Sequence, residues 1–161
     1  MTSKYRSHTA LLAIRNEARR RGRTFVFTNG CFDILHPGHV RLLRFAKRRG
    51  DILAVAVNSD ASVRRIKGRG RPVFPLPLRL EMLGALADVD YVTSFAGETL
   101  LRLIERLRPD VLVKGADWGL DEVVGRAAVE AAGGRVVRFP VVKGFSTTRT
   151  LRTAGLHRKP G

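Results

Sequence analysis

Apolar residues recur along the chain in two alternating rhythms. Residues 8–21 carry Leu11, Leu12, Ile14 and Ala18 at helical spacing, and Gly22 ends the run. Residues 24–28 form a short apolar block, read as a buried strand, which Asn29-Gly30 breaks. A second helical stripe covers 40–49 with Val40, Leu43 and Ala46 on one face, and Gly50 closes it. Residues 52–57 are continuously apolar, the pattern of a strand covered on both faces. Residues 67–77 are basic and broken by Gly and Pro, which predicts a loop. The rhythm then resumes: helix over 78–86, strand over 89–92, helix over 98–107, strand over 111–114, helix over 122–132 and strand over 135–139. A final helix is expected to start near Ser146.

Strands thus alternate with helices, and the strands are short and rich in Val, Leu and Ile. The pattern predicts an α/β fold, a doubly wound (Rossmann-like) five-stranded parallel sheet in a single domain. The domain is expected over 1–154, with 1–22 as a leading helix and 155–161 as a disordered tail. In such sheets ligands bind at the carboxyl ends of the strands. That rule selects four loops, at 29–39, 58–71, 114–118 and 141–148, and the unusual residue clusters of the sequence fall in them.

Composition narrows the classes further. The 161 residues suit one sizeable core, and 44% of them are hydrophobic. No apolar run is long enough to span a bilayer, and 1–23 lacks the pattern of a secretory signal. Cys31 is the only cysteine, which excludes an intrachain disulfide. A cytoplasmic protein without a membrane partner is expected. The formal charge of +16 is the one extreme value and favours polyanionic ligands. It gathers in two clusters, Arg19-Arg20-Arg21 with Arg23, and Arg64, Arg65, Lys67, Arg69 and Arg71. No recognition-helix or aromatic-sheet motif accompanies the charge, so nucleic acid is not expected as a partner.

The first loop holds the densest chemistry. It reads Thr28-Asn29-Gly30-Cys31-Phe32-Asp33-Ile34-Leu35-His36-Pro37-Gly38-His39. Pro37 fits the first position of a helix and forces His36 to be extended. Gly38 leaves room for a close ligand approach, and Gly30 offers the same freedom. His39 then falls in the first helical turn, where free N–H groups attract anions. Two imidazoles can converge there on one phosphate. Two histidines without a third ligand make a weak metal site, and no G-x-G-x-x-G turn supports a dinucleotide. In the last loop, Ser146, Thr147 and Thr148 sit where hydroxyls and free N–H groups cap a helix and bind phosphate. Arg152 lies four residues on, along the same helix face as Thr148.

Gly30-Cys31-Phe32-Asp33 followed by His36-x-Gly38-His39 resembles the signature of the cytidylyltransferase-like nucleotidyltransferases. The resemblance runs from about residue 11 to 151. It implies that His36 and His39 bind a triphosphate and stabilise charge at its α-phosphate. It implies a catalytic role for Lys67, with Arg64, Arg65 and Arg69 as competitors, and a nucleotide contact for Arg79. It places Asn29, Gly30, Cys31, Phe32, Gly38, Lys114, Gly115, Asp117, Ser146, Thr147, Thr148 and Arg152 at the nucleotide. Trp118 is either a cover for the base or a partly buried core residue. Asp33, Asn58 and Asp60 are assigned to the substrate side, although Asp33 also reads as a loop-fixing residue. No residue is assigned to a metal. Mg2+ is expected to arrive with ATP through phosphate oxygens and water.

Within the family, the pattern is most similar to the heptose 1-phosphate adenylyltransferases. The similarity extends to residues 57–63, 67–68, 70–73, 108–115, 123–125 and 144–148. It implies ATP and a sugar 1-phosphate as substrates, pyrophosphate and a nucleotide-sugar as products, and a homo-oligomer. No kinase domain accompanies the pattern, so a separate sugar kinase would supply the substrate. Glycerol-3-phosphate cytidylyltransferases share the same motifs and remain the alternative. A nucleic-acid-binding domain and a nucleotide sensor without catalysis are the readings from other classes.

Overall fold

The computed structural model describes residues 2–97, 99–115 and 123–140. In chain order the elements are α1 (His8–Arg20), β1 (Phe25–Gly30), α2 (Pro37–Lys47), β2 (Ile52–Asn58), α3 (Asp60–Lys67) and α4 (Leu76–Ala85). They continue with β3 (Tyr91–Phe95), α5 (Thr99–Leu107), β4 (Val111–Gly115), α6 (Arg126–Ala131) and β5 (Arg135–Phe139). The strands pair in parallel in the order β3-β2-β1-β4-β5. This is the doubly wound α/β sheet that the alternating rhythm predicts.

The period of two along the strands sorts the core into two layers. Phe25, Phe27, Ile52, Ala54, Ala56 and Leu112 face α1, α5 and α6, where Leu11, Leu103, Ile104, Leu107 and Val129 meet them. Val26, Leu53, Val55, Val57, Val111 and Val113 face the other way, toward Leu43 and Ala46 of α2 and Leu80 and Leu83 of α4. Each such buried Val, Leu, Ile or Phe contributes roughly 1.5–3 kcal/mol, and each alanine less.

Three aspartates fasten the amino ends of the strands. Asp51 accepts from the Thr24 N–H, Asp90 from the Leu53 N–H and Asp110 from the Phe25 N–H, each at 2.7 Å. The carboxyl ends are left for ligands. Strand order reverses between β1 and β4, so the crevice of the fold opens there.

The first strand runs on through Asn29 and Gly30, where a break is expected, and α2 starts at Pro37 rather than at 40. Three further elements depart from the sequence reading. A helix, α3, occupies 60–67, where a loop is expected. Ser59 caps it by accepting from the Ser62 N–H, but Ser62 and Val63 are its only buried residues, too few for a readable stripe. The third strand runs Tyr91–Phe95 rather than 89–92, because Val89 still closes a turn on Leu86. The helix expected over 122–132 forms as the shorter α6, since Gly125 at φ 87° sits as its N-cap. Among the described residues no helix is long and apolar enough to cross a membrane.

Candidate functional site

The first signature loop leaves the carboxyl end of β1 and enters α2. His36 is the N-cap of α2, extended at φ −142° and ψ 166°, and Pro37 is the first helical residue. His39 follows within the first turn. The two imidazoles stack with centroids 3.8 Å apart and planes at 21°. Both Nδ1 atoms are buried without a hydrogen-bond partner among the described residues. Such orphaned atoms are rare, and here they sit at a helix start that attracts anions. Burial pushes the His36 imidazole below its ordinary range. It pushes His39 down to about 4, reinforced by His36 and opposed by a backbone hydrogen bond with Ile34. Both shifts favour the neutral imidazole in the free protein.

Phe32 lies beneath this pair, its ring centroid 5.2 Å from that of His39. The Phe32 backbone is left-handed at φ 45°. A Cβ on Gly30 would lie 3.1 Å from the Phe32 ring. The room Gly30 leaves is thus occupied by Phe32, a packing role that accompanies any role at a phosphate. Asp33 is buried, and its carboxylate accepts from Arg71 at 2.5 Å, from the Val73 N–H at 2.7 Å and from the Phe74 N–H at 3.1 Å. It ties the segment before α4 to the signature. The sequence offers Arg71 only as a member of the basic cluster at 64–71, not as the partner of Asp33. The available signal was a carboxylate inside an apolar signature, which needs a partner when buried.

Arg79 is fully buried, not a surface helix residue. Its guanidinium donates to the Cys31 carbonyl at 2.6 Å, the Asn58 carbonyl at 2.7 Å, the Phe74 carbonyl at 3.0 Å and Asp60 Oδ1 at 2.7 Å. One planar fork therefore joins the signature loop, the end of β2, the start of α3 and the approach to α4. The Asn58 amide donates to Ser62 Oγ at 3.0 Å, and the Cys31 thiol lies 3.8 Å from Asn58 Oδ1. Burial raises the Cys31 thiol pKa, while Lys67 and Arg79 act the other way. That influence places the charge of Lys67, the last residue of α3, near the loop. Lys67 itself is exposed, as are Arg64, Arg65 and Arg69.

Across the crevice, Lys114 of β4 donates to Asn29 Oδ1 at 2.7 Å, and Gly115 ends the strand. Gly38 is in the first turn of α2. Asp117, Trp118, Ser146, Thr147, Thr148 and Arg152 lie outside the described residues. Among the described residues no group of three or more His, Cys, Asp or Glu could hold a metal ion. The described candidates from 29–39, 58–60, 67, 79 and 114–115 converge at one end of the sheet.

Known proteins resemble this chain in sequence and in fold. The chain is 50% identical over 149 residues to the bifunctional protein HldE of Syntrophotalea carbinolica, covering 92% of this chain and 30% of that protein. The chain thus spans about a third of the length of the curated relatives it matches. The lipopolysaccharide core biosynthesis protein from Thermoplasma volcanium superposes with a TM-score of 0.63 at 29% identity, covering 76% of this chain and 98% of that one. Pantothenate synthetase from Thermus thermophilus shares the fold, with a TM-score of 0.63 at 17% identity over 91% of this chain and 70% of that one. The cytidylyltransferase-like family model matches residues 27–149, the span that carries both histidines and the crevice. By that match and that geometry, the chain belongs to the cytidylyltransferase-like family and is a nucleotidyltransferase.

Proposed function

We propose that the protein transfers AMP from ATP to D-glycero-β-D-manno-heptose 1-phosphate, giving ADP-heptose and pyrophosphate. The carrying observation is the His36–His39 stack, with two orphaned Nδ1 atoms at a helix start beside the crevice. The half-identity to HldE proteins supports the choice of substrate within the family. The name of the Thermoplasma neighbour supports a place in lipopolysaccharide core synthesis.

A phosphate oxygen of the sugar 1-phosphate attacks the α-phosphorus in line. The new P–O bond forms as the bond to the β-phosphate oxygen breaks, and pyrophosphate leaves with the electron pair. The nucleophile is already ionised, so no strong base is needed. Catalysis is positioning and electrostatic stabilisation. His36 and His39 engage the α- and β-phosphates. Lys67, Arg152 and the 146–148 segment hold the leaving pyrophosphate, and Lys114 with Asn29 forms the nucleotide wall. Asp33 and Arg79 serve this reading by fixing the loops, since their polar atoms are engaged within the chain. Mg2+ is carried by phosphate oxygens and water. A homo-oligomer working in the cytoplasm completes the proposal.

The test is pyrophosphate release with Mg2+. ATP plus heptose 1-phosphate is compared with CTP plus glycerol 3-phosphate, with His39→Ala as control. Turnover with the first pair alone, lost in the control, is expected. Turnover with the second pair alone overturns the substrate and keeps the chemistry. Silence with both pairs in a folded, ATP-binding protein overturns the assignment.

A further inference from the structure

Phe32 has no polar side-chain atom to offer a ligand, yet it is among the most constrained residues of the signature. A φ of 45° is uncommon for any residue but glycine and persists only where the surroundings over-determine it. Here they do so from two sides. Gly30 lies against one part of the ring, where a Cβ would come within 3.1 Å, and His39 is tilted against it at 5.2 Å. His36 then stacks on His39 at 3.8 Å. Three rings stand in series, hydrocarbon at one end and two imidazoles at the other. Both Nδ1 atoms are buried and have no partner among the described residues.

We infer that Phe32 is a positioning residue for His39, and that the Phe32–His39–His36 stack takes up one proton from solvent when a polyphosphate binds. The inference rests on the proposed reading of the site as a triphosphate pocket. Two imidazolium ions at this separation repel, and a phenyl floor gives them no counter-charge. Among the described residues, the charged groups around the loop are already paired or lie apart. Asp33 pairs with Arg71, Arg79 pairs with Asp60, and Lys114 is bonded to Asn29. Lys67 is exposed at the end of α3, and Cys31 is held up as a thiol. Burial, reinforced for His39 by the neighbouring His36 ring, favours the neutral pair while the site is free. A polyphosphate supplies the missing negative charge. The proton then moves from solvent to an imidazole nitrogen, no bond to phosphorus changes, and the proton returns to solvent when pyrophosphate departs.

Two measurements test the two halves. Histidine NMR of the free protein is followed against pH in the wild type, Phe32→Leu and Gly30→Ala. His39 is expected to titrate well below the ordinary value, and to move up by about one unit or more in both variants as the floor is lost or displaced. Gly30→Ala is the milder change and serves if Phe32→Leu does not fold. An unmoved His39 titration in the folded variants overturns the role of Phe32. Calorimetry with inorganic tripolyphosphate, at ~pH 6 in two buffers of different ionisation heat, then counts protons. Uptake of about one proton, abolished in His39→Gln, is expected. Binding without uptake overturns the second half and leaves the proposed function standing. No binding at all overturns uptake together with the triphosphate reading, while the NMR result still decides the role of Phe32.

Discussion

Lys114 donates from Nζ to the side-chain oxygen of Asn29 at 2.7 Å, linking the ends of β4 and β1 where the strand order reverses. The bond fixes a positive charge at the mouth of the crevice. A charge held there attracts a polyphosphate before any chemistry occurs. Replacing Lys114 by Met keeps most of the aliphatic stem and removes the charge. The expected result is a KM for the triphosphate raised about 10- to 100-fold, with a much smaller change in kcat. Steady-state kinetics at fixed ionic strength reads this. An unchanged KM would remove Lys114 from the nucleotide wall.

Arg79 is expected to behave as a strut rather than as a surface charge. Its four acceptors are three backbone carbonyls and Asp60, gathered from segments far apart in the sequence. Arg79→Met leaves those carbonyls buried and unanswered, which costs about 3–5 kcal/mol. Arg79→Lys supplies one ammonium where a planar fork served four partners, so it recovers only part of that loss. Denaturant unfolding measures both variants. A loss under about 1 kcal/mol for Arg79→Met would mean that water or a neighbour replaces the fork.

The pH dependence of stability has a definite sign. The folded protein holds His39 down to about 4, below the ordinary value of a histidine. Between those values the unfolded chain binds the extra proton, so stability falls as pH drops through this window and is flat above it. The depression corresponds to about 2–3 kcal/mol, after allowing for partial exposure of the ring. His39→Leu is expected to lose this acid sensitivity. Chemical denaturation at several pH values, wild type against variant, tests the difference between the two slopes.

What could be read from the sequence follows the physics of each element. Strand β2 was legible because it is buried on both faces and shows it as an apolar run over 52–57, and β1 through its buried Phe25-Val26-Phe27. The signature was legible because Pro37, Gly38 and two histidines constrain one another within a few residues. Helix α3 was not, because only Ser62 and Val63 turn inward and its other residues are charged or exposed. The burial of Arg79 was also invisible: its partners are mostly carbonyls, which every residue carries. The left-handed Phe32 leaves no mark in the side-chain pattern either, since its conformation is imposed by Gly30 and His39.

Asp33 and Arg71 form the remaining testable pair. Both side chains are nearly buried, at 5% and 10% exposure, so the pair is little screened by solvent. The carboxylate also accepts the Val73 and Phe74 N–H groups, which makes it the anchor of the whole approach to α4. Asp33→Asn keeps one oxygen for those amides and loses the ion pair, at a cost of about 2–3 kcal/mol. Arg71→Met leaves the carboxylate with its two backbone donors and is expected to cost a similar amount. Because the two changes remove the same contact, the double variant is expected to cost less than their sum by about 1 kcal/mol or more. The coupling should also show in catalysis: either single change is expected to lower kcat/KM about tenfold or more by loosening the basic segment beside the histidines. Strict additivity in both stability and kcat/KM would separate the pair from the site and leave Asp33 a local turn fastener.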